Sequence, residues 1–197
     1  MARKDNNPRN LPQENFKAYI GQQASFAAFT GTYEYAVEAL YKLIAQENVT
    51  PDLIAKPLLF LMRHTLELGY KFTLFHLCSR NKTTFNPTAK GAENHFLRKL
   101  HTRLGQEYHQ AVISGRVPDN AKTFDEYYSL TEEGMRIFDE LDSTSTRFRF
   151  PATDERAIYL IDKTVNLLNL KNVFDDAMIL LNTLVDVIGD DSELGSV

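Results

Sequence analysis

The chain has 197 residues, of which 43% are apolar and 24% are charged. This length and composition are typical of one globular domain and exclude a disordered or fibrous chain. The formal net charge of −4 argues by itself against a general nucleic-acid-binding protein, because such proteins are usually basic. Cys78 is the only cysteine, which excludes an intrachain disulfide and favours a reducing, cytoplasmic location. The longest apolar stretches, such as residues 58–62, are far shorter than the roughly 20 residues that a bilayer demands, so we expect no membrane contact.

A single domain over residues 15–190 is expected, because the sequence contains no internal repeat and no low-complexity linker. Residues 1–14 are mostly polar and include prolines, so we predict a flexible N-terminal arm there and a flexible tail over residues 191–197. Apolar residues spaced three and four positions apart indicate an all-α fold, a bundle of about five helices.

The first two helices are separated by a helix-start signal, Thr50 followed by Pro51. The first helix is predicted from Phe26 to near Asn48, and the second from Pro51 to about Cys78. The second helix is apolar on most of its sides, and a helix of that kind is usually buried. We therefore expect it to lie at the centre of the bundle.

The third helix is predicted to bury one apolar face over residues 97–111, and the fourth lies within residues 123–141. Residues 146–150 alternate polar and aromatic positions, and together with residues 157–161 they are compatible with a short β-hairpin over residues 146–161. The fifth helix, over about residues 163–188, carries apolar residues in a heptad seam. The seam consists of Leu167, Leu170, Phe174, Ala177, Leu181, Leu184 and Ile188. Such a seam packs either inside an antiparallel bundle, which we favour, or across a dimer interface.

The second helix carries a polar stripe among its apolar residues. Arg63, His64, Glu67 and Lys71 lie on one side of this helix, and Glu67 is one turn from both Arg63 and Lys71. Charges buried without partners are costly, so these groups must meet each other, a neighbouring helix or water. The stripe is either a solvated edge of the helix or an inter-helix polar pocket that receives a ligand or a nucleic-acid phosphate.

The net charge conceals an asymmetry along the sequence. Residues 1–78 carry a net charge of +1, residues 79–116 carry +5, and residues 117–197 carry −10. Arginine and lysine side chains in a segment with few carboxylates suit phosphate contacts, so the central segment is a candidate nucleic-acid interface. The residues that we expect to bind the nucleic-acid phosphate backbone are Arg80, Lys82, Arg98 and Lys99. The alternatives are an ordinary solvated helix face and a face that pairs with the acidic C-terminal half.

Histidines in this basic segment are candidate proton-transfer groups, because imidazole exchanges protons near neutral pH. On a helical wheel, Lys99, Arg103 and His109 lie on the same side of the third helix as His95. We expect no metal site, because these histidines lack the one-turn spacing of two ligands on a helix and Cys78 stands alone.

Three short motifs, in the expected order, resemble sequence elements of prokaryotic HEPN-like proteins. Residues 60–71 resemble the Arg-His-x-x-Glu-Leu-x-x-Lys helix of that superfamily, and residues 95–100 resemble the His-x-Leu-x-x-Leu opening of its next helix. Residues 148–151 resemble a Phe-Arg-Tyr-Pro element, with Phe150 in place of tyrosine. Arg149 of this third motif is grouped with the polar stripe of the second helix as a candidate site residue.

The resemblance implies a helical bundle that often dimerises and that binds or cleaves RNA, or binds a nucleotide, in toxin, phage-defence or RNA-processing systems. HEPN-like ribonucleases use an arginine and a histidine separated by a short spacer, and need no metal or other cofactor. Arg103 and His109 match that pattern, with His109 or His95 as the proton-transfer group and Arg103 stabilising the charge at phosphorus. Two other hypotheses are a non-enzymatic protein-interaction or regulatory subunit and a small-ligand sensor.

Overall fold

The computed structural model describes residue 18 and residues 26–89, 95–142, 148 and 164–188. The described residues form five α-helices and no strand, which confirms the all-α prediction. The helices are α1 (Phe26–Ala45), α2 (Pro51–Asn81), α3 (Leu97–Ile113), α4 (Ala121–Asp142) and α5 (Leu167–Ile188). The predicted hairpin at residues 146–161 lies outside the described residues apart from Phe148, as do residues 1–14 and 191–197.

Helix α2 is the centre of the bundle and packs against α1, α3 and α5, while α4 packs against α3 and α5. Its apolar residues explain this position, because many of them, such as Leu66 and Leu74, have no exposed surface. Pro51 occupies the first turn of α2, where a missing N–H costs nothing. The predicted burial of the second helix is therefore confirmed.

Helix α2 extends one turn beyond the predicted end at Cys78. Lys82 adopts the left-handed conformation, with φ of 59°, and closes the helix as its C-cap. The N–H of Thr83 donates to the carbonyl of Cys78 at 2.9 Å, which satisfies a carbonyl that the end of the helix would leave without a partner. A lysine in this role carries no signal in the sequence, since glycine is the usual residue at such a position.

The heptad seam of α5 is buried inside the bundle. All seven seam residues are at most 8% exposed, and α5 packs against both α2 and α4. The helix begins four residues later than the predicted start at Lys163. Asn166 caps it, with its side-chain oxygen accepting from the N–H of Asn169 at 3.1 Å and its carbonyl accepting from Leu170 at 3.2 Å.

Close helix contacts in the bundle depend on glycine. A Cβ atom added at Gly134 of α4 would lie 1.9 Å from Val173 Cγ1 of α5. A Cβ atom added at Gly105 of α3 would lie 2.9 Å from the ring of Tyr128 of α4. These two positions let α4 approach both α3 and α5 closely.

Candidate functional site

The guanidinium group of Arg63 is the centre of a polar network inside the bundle. Arg63 is completely buried, and its Nε donates to the carbonyl of Asp142 at 2.6 Å. Its Nη1 donates to Glu67 Oε2 at 3.1 Å, and its Nη2 donates to the carbonyl of His95. Nη2 also lies 3.8 Å from Asp139 Oδ1. Arg63 therefore joins α2 to the start of α3 and to the end of α4.

Glu67 is the second member of the network and accepts from three side chains, those of Lys71, His95 and Arg63. Its Oε1 lies 2.7 Å from Lys71 Nζ and 2.8 Å from His95 Nδ1, while its Oε2 contacts Arg63. Burial alone would raise the pKa of this carboxyl, but Lys71, His95 and Arg63 together hold the pKa below its ordinary value. Glu67 is therefore an anion at neutral pH. Since Arg63, Glu67 and Lys71 are all buried, the polar stripe is not a solvated edge of α2.

The described contacts of His64 lie outside this network, although the predicted stripe included it. Its ring stacks on Phe60, with centroids 5.6 Å apart, and meets the edge of the Tyr33 ring of α1 at 4.8 Å. A residue adjacent to Arg63 lies about 100° further round the helix, which directs His64 toward α1 instead of α3. The predicted stripe thus divides into a buried network and an aromatic contact.

Asp139 closes the N-terminus of α3 from a different helix. Its two carboxylate oxygens accept from the backbone N–H groups of Leu97 and Arg98, each at 2.9 Å. Burial raises the pKa of Asp139 despite these two hydrogen bonds and the nearby Arg63. Neither Asp139 nor Asp142 was among the predicted site residues. Their signal was available, because carboxylates in the last turn of a helix oppose its dipole and so indicate partners elsewhere.

His95 lies where the network reaches the surface. Its side chain is 42% exposed, its Nδ1 contacts the buried Glu67, and its carbonyl accepts from Arg63. The next turn of the chain carries the exposed residues Arg98 and Lys99. The structure thus brings His95, from the list of candidate catalytic residues, together with three members of the polar stripe.

Two shallow depressions flank these cationic residues. One, of about 320 Å³, lies between α3 and α4, and the other, of about 510 Å³, runs along α3. The first is lined by Phe96, Arg98, Lys99, Arg136, Asp139 and Glu140. The second is lined by Arg98, Lys99, Thr102, Arg103, Gln106 and Glu107, which gives it three cations and one carboxylate. The basic side of α3 is therefore an open surface and not an enclosed pocket.

Arg103 and His109 contact different elements and do not form a site within one chain. Arg103 Nη2 donates to the carbonyl of Thr84 at 2.7 Å, and its guanidinium group lies over the Phe85 ring at 4.9 Å. His109 Nε2 is 3.6 Å from Asp125 Oδ1 of α4. Arg103 thereby holds the segment after α2, whereas His109 faces the beginning of α4.

Arg80 and Lys82 lie far from His95 along the paired helices α2 and α3. Arg80 Nη2 donates to the carbonyl of Ile188 at 2.6 Å and so binds the end of α5. The neighbouring Asn81 donates to the carbonyl of Glu107, well beyond the first turn of α3. The four residues predicted to bind the nucleic-acid backbone therefore form two separate pairs, and the pair beside His95 is Arg98 and Lys99. Arg149 lies outside the described residues.

His101, on the opposite side of α3, is a buried histidine that the site prediction omitted. It is 1% exposed, its Nδ1 lies 2.9 Å from the Tyr70 hydroxyl, and its ring stacks on Tyr128 with centroids 3.9 Å apart. Burial lowers the pKa of His101 to about 4, so it is neutral at physiological pH. Its role is to join α2, α3 and α4 within the core.

Comparisons of the chain with protein-family models, with curated proteins and with solved structures found no match. Among the described residues, no group of three or more histidine, cysteine, aspartate or glutamate side chains is placed to hold a metal ion. The five described helices include none with the length and apolar character needed to cross a membrane.

Proposed function

We propose that this protein is a helical-bundle protein that binds RNA through the exposed basic side of α3. The observation that carries this proposal is the open surface on which Arg98, Lys99 and Arg103 outnumber the one carboxylate, Glu107. Such a surface suits the phosphate backbone, because guanidinium and ammonium groups bind phosphate oxygens and release condensed counterions. The net charge of −4 does not oppose this proposal, because the acidic residues are concentrated in the C-terminal half of the sequence.

More specifically, we propose a HEPN-like protein that binds or cleaves RNA, as a cytoplasmic homodimer in a toxin or phage-defence system. The contact between two of the three motifs supports this proposal. Glu67 of the first motif accepts from the His95 ring of the second, and Arg63 of the first donates to the His95 carbonyl. Motifs far apart in the sequence therefore form one cluster, as expected if they belong to a single site.

The test is the affinity for a fluorescein-labelled single-stranded RNA, measured by fluorescence anisotropy over a range of salt concentrations. We expect Arg98→Ala/Lys99→Ala to weaken binding by about tenfold or more at low salt. The slope of log affinity against log salt should fall by about 0.7 for each phosphate contact that is lost.

A matched control is Lys56→Ala/Lys122→Ala, which also removes two exposed cations but from α2 and α4. We expect this variant to retain the affinity and the salt slope of the wild-type protein. Equal affinities for all three proteins, or no binding by the wild-type protein at low salt, would refute the proposal.

A second candidate function is a non-enzymatic interaction or regulatory subunit. The observation that favours it is that two arginines predicted to contact RNA make contacts within the protein instead. Arg103 donates to the carbonyl of Thr84, and Arg80 donates to that of Ile188. Size-exclusion chromatography with light scattering separates the two candidates. A stoichiometric protein partner that co-purifies without nucleic acid favours the subunit, whereas bound RNA favours the first proposal.

A further inference from the structure

We propose that His95 and Glu67 form a histidine–carboxylate dyad whose outward nitrogen, His95 Nε2, is the proton-transfer group for cleavage of an RNA phosphodiester bond. This inference rests on the proposed RNA binding, and it places the chemistry on different residues from the Arg103 and His109 pair. Three features of the structure support it: the tautomer that Glu67 imposes, the two anchors that hold His95, and its position beside the basic surface.

The tautomer follows from the charge of Glu67. Three donors of the described residues contact the Glu67 carboxylate, namely Lys71 Nζ, Arg63 Nη1 and His95 Nδ1. An ionised carboxylate only accepts, so His95 Nδ1 must carry a proton and donate it at 2.8 Å. In the neutral imidazole, Nε2 is then the nitrogen with the available lone pair. The side chain that carries it is 42% exposed.

His95 is held at two points. Arg63 donates to its backbone carbonyl, and Glu67 accepts from its ring, so the residue is fixed both at the main chain and at the side chain. The start of α3 does not need the second anchor, because the Asp139 carboxylate already binds the N–H groups of Leu97 and Arg98. Holding a half-exposed imidazole with a buried carboxylate is typical of a residue that must present one nitrogen in a fixed direction.

The position of His95 matches the proposed substrate. The exposed cations Arg98 and Lys99 follow it on the first turn of α3 and are suited to bind the phosphate on which the reaction occurs. The pentacoordinate phosphate of the transition state gains negative charge, which nearby cations stabilise. Phosphate binding by Arg98 and Lys99 and proton transfer by His95 would thus come from neighbouring residues at the start of α3.

The proposed step balances without an oxidant, a reductant or a second substrate. His95 Nε2 takes the proton of a ribose 2′-hydroxyl as its oxygen attacks the adjacent phosphorus. The bond from the 2′-oxygen to phosphorus forms, and the bond from phosphorus to the 5′-oxygen breaks. The protonated His95 returns the proton to the leaving 5′-oxygen through solvent. The products are a 2′,3′-cyclic phosphate and a 5′-hydroxyl end, and the imidazole is regenerated.

The tautomer is tested first by NMR, with no need for a substrate. Long-range proton–nitrogen correlation spectra of the ¹⁵N-histidine-labelled protein distinguish a proton on Nδ1 from one on Nε2, and His95→Gln identifies the signals. We expect the neutral His95 to carry its proton on Nδ1, and Glu67→Gln to weaken that preference. A neutral His95 with its proton on Nε2 would overturn the inference.

The second test measures cleavage of single-stranded RNA by the full chain and binding of the same sequence with 2′-O-methyl riboses, which cannot react. We expect His95→Gln to reduce the cleavage rate by about 10²–10⁴-fold and to retain binding of the methylated RNA. His95 is half exposed, so this variant avoids the folding defect that Glu67→Gln could cause. His76→Gln is the matched control, because His76 contacts Phe72 and Phe75 elsewhere on α2.

The outcomes separate this inference from the proposed function. Binding of the methylated RNA without cleavage of unmodified RNA would overturn the dyad and leave the RNA-binding proposal intact. Cleavage that survives in His95→Gln and is lost in His109→Gln would also overturn the dyad. No binding of either RNA would refute the RNA-binding proposal and the inference that rests on it.

Discussion

Arg63 has no exposed surface, and its guanidinium group contacts three parts of the described chain. It binds Glu67 within α2, the carbonyl of His95 at the start of α3, and the carbonyl of Asp142 at the end of α4. A buried guanidinium is tolerated only when its donors are satisfied in this way. The sequence predicts the Arg63 and Glu67 pair, because they are one turn apart, but it cannot predict partners that the chain brings from more than thirty residues away.

Removing Arg63 tests how much this network contributes to the free energy of unfolding. We expect Arg63→Ala to lower the free energy of unfolding by about 3–5 kcal/mol, because it leaves two carbonyls without this donor and removes one of the cations that hold the buried Glu67 carboxylate. Urea unfolding followed by circular dichroism measures the change. Lys56→Ala, which truncates an exposed cation of the same helix, should change it by less than about 0.5 kcal/mol. A loss below about 1 kcal/mol in Arg63→Ala would contradict the structural account.

His101 predicts a pH dependence of stability. Burial lowers its pKa in the folded protein from 6.5 to about 4, so the unfolded chain binds more protons between these two values. The stability that His101 contributes is therefore fully present above pH 6.5 and is lost as the pH falls toward 4. Between about pH 7.5 and pH 5 the expected loss in free energy of unfolding is about 2 kcal/mol.

Urea unfolding at a series of pH values, for the wild-type protein and His101→Gln, measures this contribution. The variant should show a flatter dependence over that range, whatever its stability at neutral pH, because it lacks the titrating group. Equal slopes for the two proteins would show that His101 is not the buried, neutral histidine described above. The pKa of Glu67 is also lowered in the folded protein, so protonation of Glu67 also reduces stability as the pH falls. This loss occurs at lower pH than the loss due to His101, so the two contributions can be distinguished.

At the level of the helices, the sequence predicts the interior well and the ends less well. The apolar face of α3 and the heptad seam of α5 are buried as expected, because periodicity reports directly on the face that avoids water. The ends of α2 and α5 differ from the prediction by three and four residues. The end of α2 depends on Lys82 in the left-handed conformation, for which a lysine gives no sequence signal. The start of α5 depends on Asn166, a preferred capping residue that the periodicity alone does not locate.

Helix packing is tested at Gly134. A methyl group there would overlap Val173 of α5, so Gly134→Ala should lower the free energy of unfolding by about 1–3 kcal/mol. Gly31 of α1 is the matched control, because an added Cβ there meets nothing within 4 Å. Gly31→Ala should stabilise the protein by up to about 1 kcal/mol, since alanine favours the helix. Thermal or urea unfolding measures both variants, and stabilisation by Gly134→Ala would contradict the described α4 and α5 contact.

At the level of the whole molecule, sequence position and spatial position lead to different candidate sites. Arg103 and His109 have a suggestive spacing on one helix, yet one contacts Thr84 and the other approaches Asp125. His95 and Glu67 have no recognisable spacing, yet they are in hydrogen-bond contact because α2 and α3 pack side by side. From the sequence, we could predict which site residues lie together on one helix, but not which residues of α2 and α3 come into contact.

The charge distribution over the whole molecule also affects where RNA binds. The basic middle segment, with a net charge of +5, supplies the cationic surface of α3, whereas the acidic C-terminal segment carries −10. An RNA strand should therefore bind to one side of the molecule and not to its whole surface, because the acidic segment repels phosphate. The affinity should fall steeply with salt, as it does for contacts dominated by phosphate.

The most direct test of the central claim is a residue-resolved map of RNA binding. Single-stranded RNA is titrated into the ¹⁵N-labelled protein, and the shifts of the assigned backbone amide signals are followed. We expect the largest shifts at residues 95–106, and much smaller shifts in Arg98→Ala/Lys99→Ala at the same RNA concentration. Shifts confined to α1 or α5, or an absence of shifts at an RNA concentration far above that of the protein, would contradict RNA binding by α3.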